Sequence, residues 1–433
     1  MTTVVVPEQE PEQDVVVHGI LDTSHGLHDR LLRGAVYLAV GLIALLALGR
    51  TAGPGDARLA IGSGDSAHVA SFAGRIAIGV LGAVIVLLAA YQAWRGFGRR
   101  ATPYVASGVA VLFMLAFLCW VSMHGHRAAV DIQGLLQNTV GLSAPLILGA
   151  LAGVMCERSG VINVAIEGQM LAGAWAAAFV GTLAGTWAGL LGGVAAGALM
   201  GLLLALFAIR FMVNQVVLGV VLNMLAMGLT GFLFDAFMAN DQTKYNQPGL
   251  LGEWDVPVLS HIPFLGPLLF QTNVVVYLTY VLIIAVDVVL FRTRWGLRTR
   301  AVGEHPRAAD TVGIKVLALR YRNVIIGSAI AGLGGAYFTI ASVEGFTKNI
   351  TSGNGYIALA AVIFGRWSPR GATLAALLFG FATTLNTRLT ILLPSAPSDL
   401  IAMLPYVATI VAVAGLVGKV RAPAADGEPY VKQ

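Results

Sequence analysis

The segment Arg292–Arg322, RTRWGLRTRAVGEHPRAADTVGIKVLALRYR, organises the rest of the chain. It carries eight basic and two acidic residues, in a protein of which only 11% is charged. The apolar run VVVYLTYVLIIAVDVVLF leads into it, and NVIIGSAIAGLGGAYFTI leads away from it. Because Lys and Arg resist translocation, a basic loop between two membrane spans is expected on the cytoplasmic side.

The middle of this loop has the pattern of a short helix. Gly303 interrupts the preceding segment, and Pro306 suits a first helical turn. Ala308 and Ala309 favour helix, and Gly313 suits its C-terminal end. Two interpretations remain open: a helix that passes force to a soluble partner, or a solvated loop that only sets orientation.

The composition excludes a soluble enzyme. The 433 residues are 57% hydrophobic, and the mean hydropathy is +0.79. Apolar runs recur along the chain, and each predicts a membrane helix. The sequence therefore predicts an all-α polytopic membrane protein with about twelve spans. They are placed at 32–49, 73–94, 103–122, 132–155, 164–184, 187–209, 213–239, 273–291, 321–342, 353–366, 371–391 and 400–418.

The positive charge is explained by orientation rather than by nucleic acid. The net charge is +5, and the basic residues lie mainly in short loops. Under the twelve-span layout, all but seven of the 27 Lys and Arg residues are cytoplasmic. The seven are Arg50, Arg58, Arg75, Arg127, Lys244, Lys348 and Arg388. An even number of spans puts both termini on one side, so the sequence predicts that both are cytoplasmic.

The ends of the chain differ from its centre. Residues 1–29 are polar and predict a disordered tail without the features of a signal peptide. Residues 30–131 predict about three spans, and 419–433 a cytoplasmic tail. Cys119 and Cys156 offer neither a disulfide framework nor metal spacing.

Polar residues inside the apolar runs are the candidates for transport. CERSGVINVAIEGQMLAGAW (156–175) places Asn163 and Glu167 four residues apart, on one helical face. Buried charges in a bilayer are costly and tend to face a water-filled path or a partner. Glu157 and Arg158, by contrast, are expected in cytoplasmic water.

A second polar group lies in NQVVLGVVLNMLAMG (214–228), which contains Asn214, Gln215 and Asn223. Amides suit ribose hydroxyls or base edges. They also hold membrane helices together. Both roles stay open for Asn223, whereas Asn214 and Gln215 lie near the start of the span, where interfacial solvation is plausible.

Two further patterns carry structural expectations. Asp287 lies near the inner end of its span, where snorkelling or pairing with Arg292 is expected. Glycines recur every four residues at 181, 185, 189, 193, 197 and 201, which predicts close helix packing.

Several stretches together resemble one protein family. TRWGLRTRAVGEHPRAADTVGIKV followed by GSAIAGLGGA resembles the coupling loop of bacterial ABC-transporter permeases of the branched-chain amino acid, ribose and nucleoside type. ERSGVINVAIEGQMLAGA and NQVVLGVVLN resemble the nucleoside-type permeases, and GNGYIALAAVIFGRWSPRGATLAALLFG resembles a later stretch of the family. The resemblance covers residues 132–418, with 1–131 as an extension. His305 stands where the family commonly has Asn before this Pro.

The resemblance implies a coupling helix, a substrate path and partners. The helix is Glu304–Gly313, with Gly303 before it. Its contacts with a separate ATP-hydrolysing subunit would come from Glu304, His305, Arg307 and Asp310, and Ala308 and Ala309 would allow close approach. The path residues would be Asn163, Glu167, Gln169, Asn214, Gln215 and Asn223.

The expected function is that of a permease subunit of an ABC importer in the bacterial cell membrane, which moves nucleosides or related ribosides by alternating access. A second, related permease would complete a heterodimer, and an extracellular lipoprotein would deliver substrate. ATP and Mg would bind the partner ATPase, because this sequence lacks a phosphate loop and no cofactor is expected on it. It also lacks a catalytic cluster. The alternatives are a simple-sugar importer and an ion-coupled secondary transporter.

Overall fold

The computed structural model describes residues 12–53, 55–62, 68–98, 101–124, 129–392, 403 and 421–432, with the side chains of 12–26 and 103 left aside. Contacts divide the chain into two compact units, and the main division falls between Asp131 and Ile132. Each unit is described by itself.

The first unit is built on three long helices and a small sheet. The helices are α1 (Glu12–Leu42, continued by a π turn to Leu48), α2 (Gly74–Trp94) and α3 (Thr102–His124). Strands β1 (Asp56–Ile61) and β2 (His68–Ala73) pair antiparallel, with Asp56 opposite Ala73. The short β3 (Val130–Asp131) runs parallel to β1. The loop expected between the first two spans therefore contains a hairpin.

Helix α1 begins inside the segment predicted to be a disordered tail. The backbone is helical from Glu12, although residues 1–29 are polar in composition. After Pro11 the segment has no further proline, and Val16, Ile20 and Leu27 recur at helical spacing. The prediction of a disordered tail rested on the overall polar composition of the segment, which does not show this periodicity. Residues 1–11 lie outside the described part.

The second unit contains the remaining helices. Its first four are α4 (Ile132–Glu157), α5 (Ile166–Ala184), α6 (Thr186–Ala205) and α7 (Gln215–Leu233). Helices α6 and α7 continue as π turns to Arg210 and Met238. A stretch with short helical turns and two paired strands, β4 (Glu253–Asp255) and β5 (Gln271–Asn273), then leads to the next long helix.

Six helices follow in the same unit. They are α8 (Val274–Arg292), α9 (Arg294–Glu304), α10 (Pro306–Thr311), α11 (Val316–Tyr337, continued to Ser342), α12 (Asn354–Phe364) and α13 (Pro369–Leu392).

Nine helices in the described residues are long and apolar enough to cross a membrane, which confirms the polytopic all-α class. Three of the twelve predicted spans are not among them. The span at 164–184 corresponds to α5, whose first turn is polar. The span at 353–366 contains only the 11-residue α12, ~16 Å long, against a hydrocarbon core of about 30 Å. The span at 400–418 lies outside the described residues, apart from 403.

Small residues bring α5, α6 and α11 into close contact. A Cβ atom on Gly332 would lie 2.3 Å from the carbonyl oxygen of Gly193, and one on Gly173 would lie 2.4 Å from that of Gly332. Gly197 and Gly201 on α6 meet Gly332 and Ser328 on α11 in the same way. The packing role predicted for the glycine repeat is confirmed where it continues along α6, and it extends to α11.

Asp287 finds a different partner from the one expected. Its carboxylate accepts two bonds from Arg370, at 3.1 Å from Nε and 2.8 Å from Nη2. The pair links α8 to α13. Arg292 lies at the end of the same helix as Asp287, five residues away, whereas Arg370 presents its planar guanidinium in the bidentate geometry that carboxylates favour.

We expect Gly332→Val to destabilise the second unit. The added side chain has no room against α6, and overpacking of this kind typically costs about 1–3 kcal/mol. Gly228→Val is the control, because a Cβ atom there meets nothing within 4 Å. Thermal unfolding of the detergent-solubilised chain should show a lower Tm for Gly332→Val only. Equal Tm values for both variants would contradict this packing.

Candidate functional site

The connection between α4 and α5 (residues 158–165) is a non-helical segment inside the protein. Ser159, Val161 and Asn163 are fully buried. Gly160 has a φ of +84°, which glycine adopts without strain. Irregular backbone at membrane depth is tolerated only where its polar groups find partners in protein or water. The backbone of this connection therefore needs hydrogen-bond partners from the polar side chains around it.

Amide side chains of α5 and α7 supply those partners. The Gln215 Oε1 atom accepts a bond from the Ile162 N–H at 2.7 Å. Asn163 and Gln169 exchange two amide bonds, at 3.1 and 3.0 Å. Each of these bonds satisfies a buried donor or acceptor. A buried group left without a partner would cost about 1–3 kcal/mol of folding free energy.

Asn223 on α7 joins this group. Its Oδ1 atom accepts a bond from the Gly168 N–H at 2.8 Å, and its Nδ2 atom donates to the Val164 carbonyl at 2.9 Å. Nδ2 also donates to the hydroxyl of Tyr356 at 3.1 Å. We call Asn163, Gln169, Gln215 and Asn223 the polar belt.

Glu167 holds the start of α12. Its Oε1 atom accepts bonds from the Thr351 hydroxyl at 2.6 Å and the Gly353 N–H at 2.9 Å, and its Oε2 atom accepts from the Gly355 N–H at 2.6 Å. A carboxylate is favoured at a helix N-terminus, where N–H groups lack intrahelical partners. A Cβ atom on Gly355 would lie 2.4 Å from the Glu167 Cα atom, so glycine is required for this approach.

The structure thus brings together five of the six predicted path residues. The polar belt and Glu167 are each at most 6% exposed. Asn214 stands apart, because it is exposed and caps α7 through bonds from the N–H groups of Val216 and Val217. Tyr356 was not predicted, yet it is the group through which the belt reaches the surface, being 48% exposed. The only signal for it was its place in the family-like stretch GNGYIALAAV.

Glu157 and Arg158, expected in water, are instead tied to the turn before α13. Glu157 is 3% exposed and accepts a bond from the Trp367 indole N–H. The Arg158 Nε atom donates to the Trp367 carbonyl at 2.7 Å. The turn therefore lies against the end of α4. The sequence of α4 alone could not predict this contact, because its partners are about 200 residues away.

Within the predicted coupling helix, Glu304–Gly313, the structure has the six-residue α10, and α9 precedes it, so Gly303 lies inside a helix rather than interrupting one. Helix α9 ends at Glu304 and α10 begins at Pro306, as the proline pattern predicted. Between them His305 is extended, with φ −145° and ψ 79°, because the residue before proline is disfavoured in the α region. Gly313, with a φ of +82°, follows the end of α10.

One residue that was expected to allow close approach of the partner points inward. Ala309 is 3% exposed and packs in an apolar cluster with Val302, Val316, Leu319 and Tyr430, so it cannot lie on a docking face. The sequence of so short a helix does not show which of its faces is buried. The exposed residues include Glu304, His305, Arg307, Ala308 and, unpredicted, Val312, while Asp310 is half-buried. Gly303 is buried against Arg158, whose carbonyl oxygen would lie 2.3 Å from an added Cβ atom.

Residues 421–432, predicted as part of a cytoplasmic tail, contact α9 and α10. The Ala425 N–H donates to the Gly303 carbonyl at 2.8 Å. Burial, with a smaller contribution from the nearby Glu157 carboxylate, raises the pKa of Asp426 to about 8, although Arg320 opposes the shift. This contact had no sequence signal, because it joins segments more than 100 residues apart.

Comparisons with known proteins find relatives of this chain among transporter permeases. The nucleoside ABC transporter permease protein NupC of Lactococcus lactis subsp. cremoris (strain MG1363) is 40% identical over 311 residues, which are 70% of this chain and 98% of NupC. The guanosine ABC transporter permease protein NupQ of Bacillus subtilis (strain 168) is 44% identical over 308 residues, 68% of this chain and 95% of NupQ. No solved structure gives a significant match.

A family model described as the branched-chain amino acid transport system permease component matches residues 135–414. The match takes in α4 to α13, and with them the polar belt, Glu167 and the coupling region. The chain therefore belongs to the family of branched-chain amino acid transport system permease components, whose members are multi-pass membrane proteins.

Proposed function

We propose that this chain is the permease subunit of an ABC importer and that it translocates nucleosides or related ribosides by ATP-driven alternating access. The observation that carries the proposal is the match, over nearly their whole length, to relatives named as nucleoside and guanosine ABC transporter permeases. The aligned length is close to that of the second unit, which holds the polar belt.

We propose that Tyr356 and Asn223 face the substrate. An exposed phenol bonded to a buried amide suits a water-filled path better than hydrocarbon. The Tyr356 ring offers a flat surface for a nucleobase, and its hydroxyl can bond ribose or a base edge. The other belt residues act behind this surface, by fixing the α4–α5 connection and the start of α12.

The remaining partners follow from the family. ATP and Mg would be held by a separate ATP-hydrolysing subunit, docked on the exposed side of α9 and α10. An extracellular binding lipoprotein would deliver substrate. A second, related permease would enclose the path, because Tyr356 is open to the surface on this chain alone.

Replacement of Tyr356 tests the path. We expect Tyr356→Leu to raise the KM for uptake of a labelled nucleoside several-fold with unchanged protein level, because the side chain is half-exposed and the belt remains. Ile363→Ala is the control, being a 44% exposed residue of the same helix. Unchanged kinetics for Tyr356→Leu would remove this residue from the path. Competition by ribose or glucose, but not by nucleosides, would favour the simple-sugar alternative.

Val312 tests the docking face. This valine follows α10 and is 75% exposed. We expect Val312→Glu to reduce co-purification of the ATP-hydrolysing subunit, because an unpaired charge becomes desolvated in the interface. Val258→Glu, at an 80% exposed valine outside the coupling region, is the matched control. Normal co-purification and hydrolysis with Val312→Glu would leave the coupling region as an orientation signal only, and would favour an ion-coupled transporter.

Thiol labelling tests the proposed orientation, in which both termini are cytoplasmic. A cysteine at the exposed Gln247 should react with an impermeant reagent in intact cells, and one at Ser368 should react only after permeabilisation. Cys119 and Cys156 are buried, so the unmodified chain gives the background. Labelling of the Ser368 position from outside would overturn this orientation.

A further inference from the structure

We propose that residues 421–432 form a clamp that makes the coupling helices α9 and α10 move together with the α4–α5 connection. The inference rests on the proposed function, since it concerns how a movement imposed on α9 and α10 reaches the polar belt. It is carried by contacts that this one segment makes with both elements.

On the coupling side, the clamp bonds the end of α9. The Ala425 N–H donates to the Gly303 carbonyl at 2.8 Å, and the Ala424 N–H donates to the Glu304 carboxylate at 3.2 Å. The last carbonyls of a helix lack intrahelical donors, so the bond to Gly303 satisfies a group that would otherwise need water.

Tyr430 supplies the apolar part of the same contact. It is 8% exposed and packs with Val302 of α9, Ala309 of α10, and Val316 and Leu319 of α11. Its ring therefore joins three helices. Its neighbour Val431 is 59% exposed, so burial at Tyr430 is specific to that position.

On the other side, the clamp meets the α4–α5 connection through Arg320. This arginine is 2% exposed. Its Nη1 atom donates to the Glu428 carbonyl at 2.9 Å, and its Nε atom donates to the Ser159 carbonyl at 3.1 Å. One guanidinium thus bonds both the clamp and the connection, and such charge-assisted bonds are the stronger kind.

Close backbone approach completes this side. A Cβ atom on Gly160 would lie 2.9 Å from the Ala425 carbonyl oxygen, and one on Gly427 would lie 2.6 Å from the Ile162 Cδ1 atom. Gly427 has a φ of +79°, a conformation that other residues rarely adopt. Ile162 donates its N–H to Gln215 of the polar belt. The clamp is therefore two contacts away from the belt.

The clamp also lies over a direct contact between the two elements. Gly303 of α9 packs against Arg158 of the connection. Van der Waals contacts of this kind can separate when α9 moves. With residues 424–430 bonded to both sides, displacement of α9 pulls the connection with it. Loss of the clamp should leave ATP hydrolysis intact and uncouple it from transport.

The test uses the complex purified from native membranes through an N-terminal tag on this chain and reconstituted in liposomes. Two variants disturb opposite sides of the clamp: Tyr430→Ala removes the ring from the three-helix cluster, and Gly427→Val disrupts the approach to Ile162. Tyr430→Phe keeps the ring and Val431→Ala changes an exposed neighbour, so both serve as controls. Basal ATP hydrolysis, its stimulation by nucleoside with the binding protein, and uptake of labelled nucleoside are measured.

We expect Tyr430→Ala and Gly427→Val to keep the ATP-hydrolysing subunit and basal hydrolysis, with a several-fold loss of nucleoside transported per ATP. Tyr430→Phe and Val431→Ala should transport as the unmodified complex does. If the Tyr430→Ala complex is not monodisperse, the result for Gly427→Val alone decides whether the clamp couples hydrolysis to transport.

Two results overturn the clamp. One is a normal ratio of transport to hydrolysis in both disruptive variants. The other is loss of the ATP-hydrolysing subunit from them, which would make 421–432 a docking surface instead. Failure of the unmodified complex to contain an ATPase or to take up nucleosides would count against the proposed function and is recognised separately.

Discussion

The constraint on which this structure depends is that a buried, non-helical backbone needs hydrogen-bond partners where water is scarce. Residues 158–165 break the path from α4 to α5, and α12 begins after another irregular stretch. The polar belt bonds the first break through Gln215 and Asn223. Glu167 bonds the second through Gly353 and Gly355. The two breaks are therefore held by side chains of α5 and α7.

Close helix contact is the second requirement, since the belt can reach the connection only if α5 lies near its neighbours. Gly173, Gly197 and Gly332 let the backbones of α5, α6 and α11 approach to distances that a Cβ atom would prevent. Apolar burial gives little preference between helices in lipid, so small residues and buried amides decide which helices pair.

Sequence reasoning was strongest where the signal is local. Apolar runs gave most of the spans, the Pro306 pattern gave the start of α10, and the glycine repeat gave a packing face. It failed where partners are distant: Asp287 pairs with Arg370 rather than Arg292, and Ala309 faces Tyr430. The predicted path residues could be picked out because polar side chains are conspicuous in apolar runs, and their place in a substrate path stays a prediction. Their bonds to backbone, which the sequence does not encode locally, were not foreseeable.

The charges of the described residues bear on the class of substrate. Glu167 is hydrogen-bonded to the start of α12, and Asp287 to Arg370. Arg320 donates hydrogen bonds to two carbonyls. The group through which the belt reaches the surface, Tyr356 with Asn223 behind it, is neutral and can both donate and accept. An amino acid substrate would call for opposite charges near its ammonium and carboxylate groups, whereas a nucleoside is uncharged and presents hydroxyls and a flat base. Within this family, a site whose buried charges are bonded internally and whose exposed rim is a phenol therefore fits a nucleoside better than an amino acid.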